Sequence, residues 1–255
     1  MNRPLEKKLL ALICRTVAEH SMIRDGDHVA VAVSGGKDSL TLLDFLIKLR
    51  DRAPICFALS SFTVEQGKFV RPVAQIEAHI HRKGVKWLYF HDRPSIKLVT
   101  NGVEHGCELC SRYRRRAVYE AARQLGANVV ALGHTADDFV EALLRNILFT
   151  GRPKPLLPVA FSSDREFRLI RPLANVREEY IRNYAQQHSF PIIPCGCSFK
   201  ANTVRTQVRG FIERLQKDNP HVMSNVLSAS ESIRALNQCR RQEEAMEPEV
   251  GVALA

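Results

Sequence analysis

Residues 29–39 constrain the fold of this chain more than any other part of the sequence. The small or β-branched apolar residues Val29–Val33 predict a strand buried on both faces of a parallel sheet. The pair Gly35-Gly36 then allows a tight turn and a close approach of the backbone to a ligand, because glycine has no Cβ atom. A helix pattern follows, for which Asp38 or Ser39 can provide the N-cap. A strand, a glycine loop and a helix N-terminus with a lysine in its first turn form a binding site for phosphate or pyrophosphate.

Residues 34–39 read Ser-Gly-Gly-Lys-Asp-Ser. This is not the Walker A pattern, which requires Gly-x-x-x-x-Gly-Lys followed by Ser or Thr. It is similar to the loop of the PP-loop ATP pyrophosphatases, which cleave ATP between the α and β phosphates. A generic strand-to-helix turn is the alternative, and the lysine, aspartate and serines around the glycine pair argue against it.

Alternating strand and helix patterns predict an α/β fold with a doubly wound, mostly parallel, five-stranded sheet. The chain after residue 174 shows helix patterns only. The predicted strands are 29–33, 55–59, 85–90, 128–133 and 167–170. The predicted organisation is an N-terminal helix in 1–25, an ATP-binding domain in 26–174, a small helical C-terminal region in 175–238 and a disordered tail in 239–255.

A second polar cluster, Gly133–Asp138, follows the fourth predicted strand. Ligands of parallel sheets bind outside the carboxyl ends of the strands, so we expect this cluster and the glycine loop to converge on one site. Carboxylates there can hold Mg²⁺ or activate a substrate, and the candidates are Asp38, Asp137 and Asp138. The candidate ATP-binding residues are Val33, Ser34, Gly35, Gly36, Lys37, Asp38, Ser39, Gly133 and His134.

Two of the cysteine segments have the spacing of metal ligands, namely Cys107-Glu-Leu-Cys110 and Cys195-Gly-Cys197. The four thiolates can complete a zinc site, or three can hold an iron–sulfur cluster that leaves one iron open. A dithiol redox pair is a further alternative, although the thioredoxin pattern is absent. Buried apolar thiols are the simplest alternative, and this fits Cys14 and Cys56 best.

The chain is basic, with a formal net charge of +10, which favours polyanionic partners. Four arginines follow Cys110 within six residues, and on a helix Arg112 and Arg116 share a face with Arg115 beside them. Guanidinium groups bind phosphates bidentately, although a solvated basic face would show the same pattern.

No apolar run approaches the roughly 18 residues that a membrane span needs, and charged residues interrupt the N-terminal helix pattern where a signal peptide would be apolar. We therefore expect a cytoplasmic protein without a membrane partner.

Together the motifs resemble those of the tRNA 2-thiocytidine synthetase family, the cysteine-cluster branch of the PP-loop tRNA thiolases. The resemblance covers residues 5–215 and depends on segments 34–39, 107–112, 132–138, 170–173 and 191–195. It implies that ATP adenylates the C2 oxygen of a tRNA pyrimidine, foremost an anticodon-loop cytidine, and that a sulfur species then displaces AMP to give 2-thiocytidine. It also implies Mg²⁺, a 4Fe–4S cluster bound by three cysteines, a sulfur donor such as a cysteine desulfurase, and compatibility with a homodimer. Arg114 would act in catalysis, and Arg112, Arg115 and Arg116 would bind tRNA.

The chain departs from the family pattern at two places. The third cysteine segment is one residue shorter than the usual Pro-Cys-x-x-Cys-Gly. Alignment from downstream makes Cys197 the third ligand beside Cys107 and Cys110, which we favour, whereas alignment from upstream makes it Cys195. After the second predicted strand, where the family often has Asn-Leu-Asp, this chain has Ser60–Glu65.

Two other functions fit the same motifs. One is a PP-loop sulfurtransferase that acts on a tRNA uridine or on a small molecule. The other is a non-catalytic, zinc-stabilised RNA-binding module.

Overall fold

The computed structural model describes residues 3–67, 69–100, 107–193, 196 and 204–246. Within these ranges the chain forms nine helices and six strands. The helices are α1 (Arg3–Glu19), α2 (Lys37–Arg50), α3 (Ala74–Arg82), α4 (Arg93–Thr100), α5 (Cys107–Leu125), α6 (Ala136–Thr150), α7 (Glu178–Gln187), α8 (Val204–Asp218) and α9 (Val222–Met246). The strands are β1 (His28–Ala32), β2 (Ala58–Glu65), β3 (Lys86–His91), β4 (Val129–Ala131), β5 (Val159–Phe161) and β6 (Arg168–Ile170). No helix in the described ranges has the length and apolarity that crossing a membrane requires.

The sheet has the strand order β3-β2-β1-β4-β6-β5, and every neighbouring pair is parallel except β5 and β6. The α/β, mostly parallel architecture is therefore confirmed, but the predicted count of five strands is wrong. The missed strand is β5, a three-residue edge strand that is too short to show an alternating pattern. Its antiparallel pairing with β6 defines it, and that is a tertiary contact.

Strands β1 and β4 lie side by side at the centre of the sheet, with Val29 opposite Val129. Chain order reverses between them, which makes their carboxyl ends the usual ligand crevice of such a sheet.

Strand β2 lies further along the chain than predicted, and it contains the whole Ser60–Glu65 segment. Its polar side chains have partners inside the sheet, which explains why they tolerate burial. The Ser60 hydroxyl pairs with His28 Nε2 at 2.9 Å, and Trp87 Nε1 donates to the Thr63 hydroxyl at 3.1 Å. Residues 60–65, where this chain departs from the family pattern, therefore form part of strand β2 and not a loop that follows it.

The contacts divide the chain into two compact units, residues 1–137 with 158–202 and residues 138–157 with 203–255. This division differs from the boundaries that the sequence suggests. Helix α1 buries Leu9 and Ile13 in the core of the first unit, and α7 buries Ile181 and Tyr184 there. Each such side chain contributes about 1.5–3 kcal/mol when it leaves water, which explains why both helices belong with the sheet.

Asp44 connects three helices inside the first unit. Its carboxylate accepts hydrogen bonds from Lys83 Nζ at 2.5 Å and from the Tyr184 hydroxyl at 2.5 Å, and it pairs with Lys48 at 3.0 Å. Burial by itself would raise the pKa of Asp44, but the hydrogen bonds from Lys83 and Tyr184 lower it to about 2. The phosphate-loop helix α2 is thereby held against α7.

The second unit has a small apolar core of its own, made by Val140, Val208, Ile212 and Met223. Helix α9 continues to Met246, so residues 239–246 are helical and not part of a disordered tail. The physical reason is composition, since Arg, Gln, Glu and Ala are strong helix formers. The last predicted tail residues, 247–255, lie outside the described residues.

Candidate active site

The phosphate loop runs from the end of β1 to the first turn of α2. Gly35 has φ of +80°, and a Cβ atom there would lie 3.2 Å from the side chains of Phe69 and Ile76, so the position requires glycine. Gly36 is the N-cap of α2 and provides no side-chain cap. The expectation that Asp38 or Ser39 is the N-cap is therefore wrong, because both lie inside the first turn. The helix N-terminus can offer its N–H groups to a phosphate.

Ser34 and Ser39 hold this loop in shape. Ser34 N donates to the Ser39 hydroxyl at 3.1 Å, and that hydroxyl donates to Gly36 O at 3.0 Å. Val33 N donates to Phe62 O at 2.8 Å, which extends the sheet pairing to the start of the loop. The loop is therefore preorganised for an anion.

Lys37 lies between two carboxylates. Its Nζ is 2.8 Å from Glu178 Oε1 and 3.2 Å from Asp38 Oδ2. Burial works against the charge of the ammonium group, but the hydrogen bond to Glu178 and the charge of Asp38 outweigh it and raise the pKa of Lys37. Lys37 is thus a cation at neutral pH, and it is 22% exposed at the mouth of the loop.

Glu178 is a site residue that the sequence motifs did not reveal. It begins α7, and its backbone N–H donates to Asp137 Oδ2 at 2.7 Å. Arg177 Nε lies 3.4 Å from the same oxygen. The only signal in the sequence is an acidic first turn of a helix, which the helix dipole explains equally well. Through Glu178, the structure brings the predicted residues Asp137 and Lys37 to one site.

Gly133 brings the second polar cluster against the phosphate loop. A Cβ atom at Gly133 would lie 3.0 Å from Ser39 N and 3.2 Å from the carbonyl carbon of Asp38. The backbones of the turn after β4 and of the first turn of α2 therefore touch, as the position of both strands predicts. Next to it, His134 Nδ1 accepts a hydrogen bond from Arg171 Nε at 3.2 Å. Burial lowers the pKa of the Arg171 guanidinium to about 10, so Arg171 remains charged at neutral pH.

Asp138 belongs to the second unit, where it pairs with Arg205. Arg205 and Arg209 also hold Glu141, at 2.8 Å and 2.6 Å. These contacts stabilise the packing of α8 on α6, so the structure gives Asp138 a partner within its own unit.

Cys107 and Cys110 form the first turn of α5 and do not lie in a loop before it. Residues three apart share a helix face, and Arg114 follows Cys110 on that face after one more turn. Helix α5 contacts β1, β2 and β3 of the parallel sheet and runs opposite to their direction, which places its N-terminus at the carboxyl edge. Among the described side chains, no group of three His, Cys, Asp or Glu is arranged around a metal position.

Cys195 and Cys197 are outside the described residues. Cys56 is exposed, which corrects the expectation that it is buried, whereas Cys14 is partly buried.

The segment before Cys195 is joined to the phosphate loop. Ile193 N donates to Gly35 O at 2.9 Å, and Ile193 itself is buried. In the sequence, Cys195 follows Ile193 by two residues and Cys197 follows it by four. Ile193, the last described residue before Cys195, is therefore bonded to the phosphate loop.

Arg116 has a structural contact that its sequence pattern does not suggest. It pairs with Asp92 at 2.6 Å and with Glu120 at 3.2 Å, and Asp92 is only 1% exposed. These ion pairs give Arg116 a structural role, and its expected role in tRNA binding stays a prediction. Arg112, Arg114 and Arg115 are exposed on α5.

Comparison with known proteins gives the family. The PP-loop domain model matches residues 1–212. A tRNA-cytidine(32) 2-sulfurtransferase from Anaeromyxobacter sp. (strain Fw109-5) is 40% identical over 229 residues, which cover 88% of this chain and 75% of that protein. The enzyme of the same name from Polynucleobacter asymbioticus is 36% identical and covers 90% of this chain and 77% of its own length. This chain belongs to the PP-loop family of tRNA-cytidine(32) 2-sulfurtransferases.

A solved structure shows the same fold as this PP-loop protein. The U34-tRNA thiolase NcsA from Methanococcus maripaludis, determined with its [4Fe-4S] cluster, superimposes with a TM-score of 0.72 at 19% identity. The alignment covers 90% of this chain and 78% of that chain. At this identity the likeness establishes the architecture of a PP-loop thiolase, as the sequence resemblance implied.

Proposed function

We propose that this chain is an ATP-dependent sulfurtransferase that replaces the C2 oxygen of a tRNA cytidine with sulfur. The relatives named tRNA-cytidine(32) 2-sulfurtransferase support the substrate and the reaction, and the PP-loop domain supports ATP. The hydrogen bond between Ile193 and Gly35 carries the proposal, because Ile193 is bonded to the loop that would bind ATP and precedes Cys195 by only two residues in the sequence. Thiolation needs both an activating group and a sulfur-carrying group within reach of one base.

In the first step, the C2 oxygen of cytidine attacks the α-phosphorus of ATP. The bond from the α-phosphorus to its bridging oxygen breaks, and pyrophosphate leaves with the negative charge. Lys37 and the first-turn N–H groups of α2 stabilise that charge, because they are preorganised at the loop. Arg171 and His134 lie at the neighbouring strand end and fit the nucleotide.

Asp38 and Asp137 would hold Mg²⁺ at this site. Carboxylate oxygens are the ligands that Mg²⁺ prefers, and both residues contact the Lys37–Glu178 pair. Mg²⁺ usually takes only one or two carboxylates and completes its shell with phosphate oxygens and water, which matches this small donor set. Asp138, which is also a carboxylate, remains a predicted Mg²⁺ ligand or activating group.

In the second step, a sulfur nucleophile adds at C2, and AMP leaves with the former C2 oxygen. Cys107, Cys110 and Cys197 would hold a 4Fe–4S cluster, with Cys195 as the alternative third ligand, and thiolates at i and i+3 of a helix suit such a cluster. When bound, the cluster supplies an open iron on which an inorganic sulfur atom is held. Arg114 lies on the same face of α5 as Cys110 and would stabilise negative charge on the base.

A sulfur donor such as a cysteine desulfurase would restore the sulfur atom after each turnover, and a two-electron reductant would convert its persulfide sulfur to sulfide. A tRNA substrate and seven cysteines with no predicted disulfide framework fit the reducing cytoplasm. A homodimer remains a prediction.

Mass spectrometry of tRNA nucleosides from a deletion strain tests the reaction. Three results together would support the proposal. The deletion strain should lack 2-thiocytidine, the wild-type gene should restore it, and the Lys37→Ala gene should not. Cys56→Ala removes an exposed cysteine outside both motifs and should restore the nucleoside fully. Unchanged 2-thiocytidine in the deletion strain would refute the assignment, and loss of a thiouridine instead would change the substrate.

Iron and acid-labile sulfide analysis of anaerobically purified protein tests the cluster. We expect Cys197→Ala to lose iron and sulfide and Cys195→Ala to keep them. The opposite pattern would make Cys195 the third ligand. Zinc without sulfide, together with no pyrophosphate release, would instead support an RNA-binding module.

A further inference from the structure

The end of α6 exposes an apolar surface that the proposed chemistry does not use. Ile147, Leu148 and Phe149 are 40%, 56% and 52% exposed. We call residues 145–154 the α6 tip. Three consecutive large apolar side chains that are exposed to solvent indicate a surface that binds a partner.

The α6 tip is an ordered structure. Asn146 Nδ2 donates to Lys154 O at 2.6 Å, and Arg152 N donates to Asn146 O at 3.3 Å. Gly151 N donates to Ile147 O at 3.1 Å. These bonds fold residues 151–154, which include Arg152 and Lys154, back onto the last turn of the helix.

The charge of the α6 tip has one sign. Arg145, Arg152 and Lys154 are all exposed, and no Asp or Glu occurs between Glu141 and Asp164. Within the described residues none of the three cations makes an ion pair. Glu141 is one helical turn before Arg145, but its carboxylate is held by Arg205 and Arg209.

We propose that the α6 tip binds single-stranded RNA. Phe149 stacks on an unpaired base, and Arg145, Arg152 and Lys154 bind the flanking phosphates, which is the combination that single-stranded nucleic acid requires. A second copy of this chain fits the surface less well, because a two-fold contact would bring six like charges together. The inference rests on the proposed function, because that function supplies the RNA: a tRNA whose loop nucleotides are unpaired.

Fluorescence anisotropy with the full-length protein tests the surface, using a labelled RNA hairpin with a seven-nucleotide loop and a blunt duplex of the same length. Phe149→Ala and Phe149→Leu should both weaken hairpin binding by about tenfold, because leucine keeps apolar area but does not stack. Neither should change duplex binding. ATP-analogue binding by the same variants confirms that they are folded.

The salt dependence tests the cations. Arg152→Gln/Lys154→Gln should lower the slope of log affinity against log salt by about 1.5, since each lost phosphate contact lowers it by about 0.7–0.9. Lys7→Gln/Arg15→Gln removes two exposed charges from α1 and should leave the slope nearly unchanged.

Two outcomes would overturn the inference. One is wild-type hairpin affinity in all α6-tip variants. The other is unchanged RNA affinity together with conversion of a dimer to a monomer by Phe149→Ala in sedimentation velocity, which would assign the surface to a second copy. If the wild-type protein binds no tRNA at all, the proposed function itself fails.

Discussion

Replacing Gly133 by alanine tests whether the two strand ends meet as closely as the structure shows. The added Cβ atom would lie 3.0 Å from Ser39 N, 3.1 Å from Ser39 Cα and 3.2 Å from the carbonyl carbon of Asp38, whereas ordinary contact begins at 3.4 Å. All three atoms belong to the backbone, so none can rotate away and the first turn of α2 must shift by 0.2–0.4 Å. Such overpacking costs about 1–3 kcal/mol.

Alanine also restricts the unfolded chain, which offsets about 0.4–1 kcal/mol of that cost and leaves a net loss of about 1–2 kcal/mol. Urea unfolding followed by circular dichroism measures this loss, and calorimetry with a non-hydrolysable ATP analogue should show weaker binding because the phosphate loop has moved. Gly210→Ala in α8 is the matched control, since a Cβ atom there meets nothing within 4 Å and should stabilise the helix by up to about 1 kcal/mol. Wild-type stability and wild-type ATP affinity for Gly133→Ala would refute the close approach of the two loops.

Three further predictions follow from charged groups. Lys37→Ala should weaken binding of the ATP analogue by about 10- to 100-fold, because a charge-assisted hydrogen bond contributes about 1.5–3 kcal/mol; calorimetry showing a smaller change than for Lys7→Ala would contradict this. The lowered pKa of Asp44 means that its contribution is complete above about pH 4 and is lost as the pH falls towards 2. The wild-type protein should therefore lose about 2 kcal/mol more than Asp44→Asn over this interval in acid-unfolding curves, and parallel curves would show that the network is not formed. Arg116→Gln should destabilise the protein more than Asp92→Asn, since it leaves a buried carboxylate unpaired, and the double variant should cost less than the sum in a double-mutant cycle.

The sequence by itself determined the class of the fold and the chemistry of the loop. A run of small β-branched residues followed by two glycines has local causes, namely strand propensity and the absence of a Cβ atom, so residues 29–39 could be interpreted without a structure. The sequence also sufficed to predict that Gly133 lies against the phosphate loop, because ligand sites of parallel sheets lie outside the carboxyl ends of the strands.

Only the tertiary structure decided which partner each polar side chain has. Glu178 is a site residue because α7 packs on α2 and places its first carboxylate 2.8 Å from Lys37, across 141 positions of sequence. Arg116 belongs to an arginine run that indicates phosphate binding, but the buried carboxylate of Asp92 lies within its reach. Strand β5 exists because β6 is beside it, and Ile193 reaches Gly35 because the chain returns to the same edge of the sheet. Local propensity acts over a few residues, whereas ion pairs and strand pairing depend on distances in space that periodicity does not encode.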